Sequence, residues 1–417
     1  MSVQSGASPV RYRDVLAHRE FRGIVAAQVA SESGDQVARV ALALLVLDRT
    51  GSALGAAAAF AVGAVPAVFG GSLLGPLADR LSRRGVMLVA DAARALIVAF
   101  MALTVVTGVP LWVPFAILFV AELFTAPFDA ARTATVPDVL PAHQIAAGMG
   151  MTRSLTLINQ IIGLALGAVV VNLLGSQVAL ALDAVSFAAS FLILSLTLKP
   201  RPAALVGEPS LLVLLSDLRE GAVLLARDRS RRSVVLLACL MAWPLVAPEA
   251  AALAYARDQG VGDEWGGALM AISLAGAAVG SVLIGRQRPL VQLDLVFPFA
   301  VACTLPMLAT AGSPTVAVTA LLWCAAGVLS AFVVSLMAFT NILTPPSQRG
   351  RVAGIAGAGF TLTSALGFLL TGWIADLTSP AFAVVVGGVV GLLALGLMVR
   401  LWPGHELRSR LRALDEM

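Results

Sequence analysis

The sequence predicts an all-α integral membrane protein with twelve transmembrane helices in two six-helix bundles. Three observations predict this class. Of the 417 residues, 59% are hydrophobic and only 12% are charged, whereas about 25% of a typical soluble domain is charged. The mean hydropathy is +0.92. The apolar residues also fall into long runs, and a helix needs about 20 apolar residues to cross a bilayer.

Each half of the chain contains six apolar runs that are long enough to span. The first six cover about 23–47, 53–77, 86–107, 111–131, 154–174 and 178–198. The second six cover about 233–256, 265–285, 291–311, 315–341, 352–375 and 380–401. Several connections, such as 108–110 and 175–177, are only a few residues long. We therefore expect the helices that they join to run antiparallel.

The basic residues predict the orientation of these helices. If both termini are cytoplasmic, all but four of the 28 Lys and Arg residues lie on the cytoplasmic side. Arg49 and Arg257 fall on the other side, and Arg39 and Arg94 fall within spans. The positive-inside rule thus predicts a multi-pass protein of the cell membrane, the inner membrane where there are two, with both termini inside. Because the arginines are spread over many loops, we expect the bilayer, and no nucleic acid, as their partner.

The spans divide the chain into five predicted segments. These are a cytoplasmic N-terminal segment 1–22, an N-terminal bundle 23–198, a cytoplasmic linker 199–232, a C-terminal bundle 233–401 and a cytoplasmic tail 402–417. The linker carries an apolar stripe at helical spacing, which predicts an amphipathic helix on the cytoplasmic face. The stripe consists of Leu211, Leu214, Leu215, Leu218, Ala222 and Leu225.

A polar stretch, "GPLADRLSRR" (75–84), joins the second and third spans. It resembles the G-x-L-A-D-R-x-G-R-R/K signature of the major facilitator superfamily, with Ser82 in place of a glycine. Further stretches, at 19–42, 126–141, 182–193 and 348–355, resemble the branch of macrolide-efflux and enterobactin-exporter proteins. The resemblance covers 19 to about 400. It implies the major facilitator fold, transport of a small molecule and a monomeric protein.

The resemblance also implies that the 75–84 loop forms a cytoplasmic latch. Asp79 is expected near the start of the eleventh span, where a helix N-terminus attracts an anion. Arg80 is expected to pair with Asp129, and Asp91 and Arg94, three residues apart, are expected to extend the network. The alternative is a solvated loop. The predicted latch residues are Gly75, Asp79, Arg80, Arg83, Arg84, Asp91, Arg94, Asp129 and Arg132.

The first span carries several polar residues on one face. Glu32, Asp35, Gln36 and Arg39 are three, four and seven residues apart, which places them together on a helix. A charged residue at the bilayer centre costs about 2.5–3.5 kcal/mol on insertion scales and is a functional hypothesis by default. We expect Asp35 to pair with Arg39, which leaves Glu32 less compensated.

Two more carboxylates lie inside spans that the resemblance places around a central cavity. Glu122 lies near the middle of the fourth span, and Glu249 lies in the seventh span next to Pro248. The predicted substrate and proton cavity therefore consists of Glu32, Asp35, Gln36, Arg39, Glu122 and Glu249. The alternative is a set of structural ion pairs, for example Glu122 with Arg39. We interpret Asp183 as a helix-terminal cap and Asp376 as a solvated residue.

These features predict a secondary active transporter that works by alternating access. The leading function is proton-coupled export, by antiport, of a hydrophobic or amphipathic molecule such as a drug or natural product. The fifth span has the glycines, but lacks the proline, of the G-P-x-x-G-G run that is typical of antiporters. A siderophore exporter, a lysophospholipid flippase and a proton-coupled importer are the alternatives within the class.

Other classes have less support in the sequence. We expect no cofactor, because there is no G-x-x-x-x-G-K-[ST] nucleotide motif, and no metal, because the three cysteines have no zinc spacing. An intramembrane enzyme is not expected, since the three histidines lie in predicted loops or tails and no H-E-x-x-H or G-x-S-x-G run occurs. A receptor built on a transporter fold would bind its ligand without moving it, and only a flux assay would distinguish it from a transporter.

Overall fold

The structure is a computed structural model that describes residues 11–70, 81–201 and 211–415. Every regular element in these ranges is an α-helix or a short 3₁₀ turn. The all-α part of the predicted class is thereby confirmed. In the N-terminal half the α-helices are α1 Tyr12–Leu16, α2 Arg19–Thr50, α3 Ala53–Ala61, α4 Arg83–Val106, α5 Trp112–Glu122, α6 Thr125–Val139 and α7 Ile145–Thr197.

The linker and the C-terminal half are also helical. Their helices are α8 Leu211–Arg227, α9 Arg229–Asp258, α10 Asp263–Gly285, α11 Pro289–Ala309, α12 Val316–Leu329, α13 Phe332–Ile342, α14 Arg349–Leu377, α15 Pro380–Leu401 and α16 Gly404–Asp415. Helix α8 is the helix predicted for the linker, and it packs against the start of α14. Short 3₁₀ turns occur at Ala142–Gln144, Thr310–Gly312 and Pro346–Gln348.

Ten helical segments of the described ranges are long and apolar enough to cross a membrane. One of them, Ala142–Thr197, has 56 residues, which is about 84 Å of helix against a hydrocarbon core of about 30 Å. Helix α2 is not among the ten, because charged residues such as Asp35 interrupt its apolar run. The predicted total of twelve counts α2 and two passes of α7, and it stays a prediction.

Helix α7 reverses direction in its middle. Gly175 has a backbone φ of 82° and ψ of 160°, a conformation that glycine adopts at little cost. Before this residue, α7 runs parallel to α2, since Gly148 lies against Phe21 and Gly163 lies against Gln36. After it, the chain returns, and Thr197 at the end of α7 again lies near the start of α2, against Gly23. The predicted turn at 175–177 therefore joins two antiparallel passes.

The fourth and tenth spans are each broken into two helices. Helix α5 ends at Glu122 before α6 begins, and α12 ends at Leu329 before α13 begins. Pro127 contributes to the first break, because it has no N–H to donate to the carbonyl four residues earlier. A 3₁₀ turn follows each broken span, and a proline precedes each turn. This proline is Pro141 in the first half and Pro345 in the second. The two halves therefore repeat in structure at this point.

The helix bundle has two ends, which we call the terminal face and the far face. The terminal face is where α2, α4, α9 and α14 begin, and the far face is where α2 ends and α3 begins. At the far face, Asp376 of α14 caps α3 of the other half. Its carboxylate accepts hydrogen bonds from Ser52 Oγ at 2.6 Å and from the backbone N–H groups of Ala53 and Leu54 at 2.5 and 3.2 Å. The prediction that Asp376 is merely solvated is therefore wrong.

Further polar contacts join the halves at the far face. Arg257 of α9 pairs with Asp48 of α2 at 2.5 Å and with Asp263 at 2.7 Å. Asn172 of α7 donates a hydrogen bond to Glu264 of α10 at 3.1 Å. The polar contacts found between the two halves in residues 11–70, 81–201 and 211–415 all lie toward this face. The far face is thus closed by direct contact of the halves.

We expect the substitution Gly372→Ala to loosen the far face. A Cβ at Gly372 would lie 2.6 Å from the Cα of Leu54 and 2.8 Å from the carbonyl oxygen of Ala53, so the halves must separate there. The measurement is the maleimide labelling rate of a Phe60→Cys reporter in a chain without its native cysteines. The matched control is Gly396→Ala, where no atom lies within 4 Å. Equal labelling of the two variants would contradict the expectation.

Candidate functional site

The break in the fourth span holds Glu122 against α2. Arg39 donates hydrogen bonds to Glu122 Oε1 from Nη2 at 2.6 Å and from Nε at 3.2 Å. Thr125 donates to Glu122 Oε2 at 3.2 Å. The Glu122 side chain is only 6% exposed, whereas Arg39 is 26% exposed. The alternative that the sequence left open, an ion pair between Glu122 and Arg39, is the observed arrangement.

Asp35 forms its ion pair with a residue of α4, whereas a partner on its own helix, α2, was expected. Nη2 of Arg94 in α4 donates to both carboxylate oxygens of Asp35, at 2.6 and 2.7 Å. The guanidinium of Arg94 also lies 4.0 Å from the centroid of the Phe187 ring, a cation–π contact. The predicted pair of Asp35 with Arg39 is therefore wrong. A pair on one helix surface contributes only about 0.2–0.5 kcal/mol, whereas a buried guanidinium needs a close partner.

Glu32 is well compensated, which contradicts the prediction. Arg132 of α6 donates to Glu32 Oε1 at 2.7 Å. Three polar side chains add hydrogen bonds of 3.1 Å, and the sequence reasoning missed them: Gln28, Thr156 and Asn159. Gln28 lies four residues before Glu32 on the first span, and Thr156 and Asn159 lie three residues apart on the fifth span, so both spans carried a polar face as a signal. Arg132 also pairs with Asp129 at 3.0 Å.

Two buried carboxyl groups of the N-terminal half have hydroxyl partners. Asp91 Oδ2 accepts a hydrogen bond from Ser190 at 2.6 Å, and its Oδ1 has no partner in the described chain. The predicted link of Asp91 to Arg94 is not observed as an ion pair. The prediction that Asp183 caps a helix is wrong. Asp183 lies inside α7, is 1% exposed and accepts a hydrogen bond from Ser186.

The remaining predicted residues of the N-terminal half have structural contacts. Gln36 packs against Gly163 of α7, where the two helices approach closely. Arg83 donates to the Ala134 carbonyl at 2.6 Å and to Asp138 at 2.5 Å. Arg84 donates to the carbonyl of Ser195 at 2.8 Å. Three predicted latch residues lie outside the described ranges: Gly75, Asp79 and Arg80.

Ser82, which replaces the glycine of the signature, has a definite role in the structure. Its hydroxyl accepts a hydrogen bond from the backbone N–H of Gly85 at 3.1 Å. This is the N-cap of α4, and serine is among the residues preferred at such a position. The departure from the signature therefore fixes where the third span begins.

Glu249 differs from the other carboxylates inside the spans. In the part of the chain that the structure describes, it has no hydrogen bond and no ion pair. It lines a cavity of about 250 Å³ in the C-terminal half. The other walls are mainly apolar and come from α10, α11, α12, α13 and α14; they include Leu274, Ala277, Val333 and Phe360, with the hydroxyls of Ser273 and Ser330.

The position of this cavity agrees with the break in the tenth span. Ser330, one of the lining residues, is the residue that follows the end of α12 at Leu329. Interrupted helices at matching places in two repeats are a pointer to a binding site in transporters. Arg39, on the first span of the other half, is close enough to interact electrostatically with Glu249.

Comparisons with known proteins agree with this architecture. Residues 24–339 match the family model described as Major Facilitator Superfamily. The multidrug efflux pump Tap of Mycolicibacterium fortuitum is 27% identical over 410 residues, which cover 94% of this chain and 96% of Tap. Macrolide efflux protein A of Streptococcus pyogenes is 24% identical over 370 residues, covering 86% of this chain and 89% of that protein.

The fold is also that of solved transporters. The crystal structure of nucleoside transporter NupG superposes with a TM-score of 0.69 at 14% sequence identity. The match covers 90% of this chain and 98% of NupG. At this level of identity the likeness shows the shared fold alone.

Proposed function

The chain belongs to the major facilitator superfamily of transporters, and from this premise we propose that it exports hydrophobic or amphipathic small molecules by proton-coupled alternating access. The observation that carries the proposal is Glu249, a carboxylate that has no ionic partner among the described residues and that lines a mainly apolar cavity of about 250 Å³. The efflux pumps among its relatives support export as the direction.

The environment of Glu249 suits an exchange between protons and substrate. An unpaired carboxylate in apolar surroundings is costly, and either a proton or a cationic group relieves that cost. The two cannot occupy the carboxylate together. Loading of the substrate on one side of the membrane and of the proton on the other side would therefore couple export to proton entry. The apolar walls suit the rest of an amphipathic molecule.

The contacts between the halves support alternating access. The far face is closed by the pairs of Arg257 and by the cap that Asp376 forms on α3. The positive-inside rule assigns the terminal face to the cytoplasm, so these contacts close the outer side of the protein. Opening to the outside requires these contacts to break, while the N-terminal half keeps its internal pairs, such as Asp35 with Arg94.

A second candidate is export of an anionic cargo, such as a siderophore. The observation that favours it is the partial exposure of the Arg39 side chain, 26%. Glu122 binds only two of the nitrogens of this guanidinium, Nε and Nη2. A carboxylate or phosphate group could bind the remaining nitrogen.

The test is flux of a lipophilic cation, ethidium, through proteoliposomes. We expect an imposed pH gradient to drive ethidium uphill, and a protonophore to stop it. A protein-free vesicle with the same gradient is the control. Ethidium flux that ignores the gradient would contradict proton coupling. Uphill movement of an anionic dye, with none of ethidium, would favour the second candidate. Absence of flux for every probe would contradict transport of such molecules.

A further inference from the structure

The terminal face of the N-terminal half contains a basic pocket that is separate from the cavity at Glu249. It has a volume of about 400 Å³ and lies where α4 begins and where α6 and α7 end. Four cationic side chains line it, together with one carboxylate, Asp138. The cations are Arg83, Arg84, Lys199 and Arg201. The pocket therefore carries an excess of positive charge.

Three of the four cations of this basic pocket are held in place by the protein. Arg83 is fixed by Asp138 at 2.5 Å, and Arg84 is fixed by a backbone carbonyl at the end of α7. The Nε of Arg84 is buried and has no partner in the described chain. Arg201 pairs with Glu20 at 2.7 Å. Lys199 is exposed, and the structure shows no partner for its ammonium group among the described residues.

We propose that the basic pocket binds the phosphate headgroup of an anionic phospholipid. Guanidinium groups bind phosphate oxygens through two parallel hydrogen bonds. The N-terminus of α4 adds the positive end of a helix dipole at the same place. Basic pockets between transmembrane helices at the cytoplasmic surface are suited to anionic headgroups.

The surroundings favour a lipid over a soluble phosphate compound. The two helices that carry the pocket, α4 and α7, have lipid-facing apolar side chains beyond it. Val89 and Leu96 of α4 are exposed, as are Leu192 and Leu196 of α7. The hydrogen bond from Arg84 to Ser195 holds these helices together at the level of the pocket. Acyl chains would therefore lie on this surface while the phosphate occupies the pocket.

The test is lipid binding to the purified full-length protein in neutral detergent, measured with fluorescent phosphatidylglycerol. We expect Lys199→Gln to weaken binding about fivefold, the effect of one basic residue near an anionic membrane surface. Arg84→Gln should weaken binding by at least as much. The matched control is Arg286→Gln, an exposed cation of the same face outside the pocket, which should leave binding unchanged.

Two further probes show whether the pocket binds a lipid or a soluble anion. Phosphatidylcholine should bind weakly to every variant, and millimolar inorganic phosphate should not displace phosphatidylglycerol from the unaltered protein. Lys199→Gln is suited to the test because no observed contact of the fold depends on its side chain. Equal binding by Lys199→Gln and Arg286→Gln would overturn the site. Displacement of the lipid by phosphate would overturn its assignment to a lipid.

Discussion

Replacement of Glu249 by glutamine is expected to reduce proton-driven transport to the level of protein-free vesicles. Glutamine has nearly the same shape but cannot take up or release a proton. Among the described residues, Glu249 lacks the partners that hold Glu32, Asp35 and Glu122 in the other half. The protein should fold normally, because no hydrogen bond or ion pair of the described chain is lost. The measurement is ethidium flux at several imposed pH gradients.

A matched control lies on the same helix. Asp258→Asn makes the same chemical change at the exposed end of α9, outside the cavity, and should leave transport unchanged. Downhill exchange of ethidium, which needs no net proton movement, should survive better in Glu249→Gln than uphill transport. Equal uphill transport by the two variants would exclude Glu249 as the proton carrier. Asp91 and Asp183, which have hydroxyl rather than cationic partners, would then be tested.

Replacement of Arg94 by glutamine is expected to lower the stability of the protein by about 3–5 kcal/mol, the usual cost of removing one partner of a buried ion pair. The substitution leaves the Asp35 carboxylate without its two hydrogen bonds. It also removes the cation over the Phe187 ring. The measurement is thermal unfolding of the purified protein in detergent. Arg400→Gln, at an exposed position, is the control and should change stability by less than about 0.5 kcal/mol.

A second substitution distinguishes the loss of the ion pair from the loss of packing as the cause of the lower stability. The double variant Arg94→Gln with Asp35→Asn has no unpaired charge at this position and should regain most of the lost stability. If the double variant is as unstable as Arg94→Gln alone, packing against Phe187, and not the pair with Asp35, explains the loss. Ethidium flux of the double variant then shows whether the pair also serves transport.

Several structural features were predictable because their signals are local. The helix of the linker follows from an apolar stripe at helical spacing, and it is present as α8. The turn after the fifth span follows from a short polar sequence, and the structure bends there at Gly175. The break of the tenth span at Leu329 was not predicted. No proline lies at this break, where the hydroxyl of Ser330 donates a hydrogen bond to the carbonyl of Gly327 at 2.6 Å.

In the candidate site, too, some features were predictable from the sequence and others were not. The sequence indicated which charged residues lie within spans, because an apolar run identifies each of its charged interruptions. It did not indicate that Arg39 binds Glu122 and that Asp35 binds Arg94. Those choices depend on the rotation of α4 and α5 relative to α2. The isolation of Glu249 was equally hidden, since the lack of a partner is a property of all the helices around a residue.

The sequence by itself therefore determined the membrane class, the signature of the family and the charged residues that lie within apolar runs. Each of these depends on composition or on neighbours within one helix. The tertiary structure alone decided the ion pairs, the contacts that close the far face, the cavity at Glu249 and the basic pocket. The physical reason is that a buried charge is stabilised by the nearest group in space, and here that group lies on another helix.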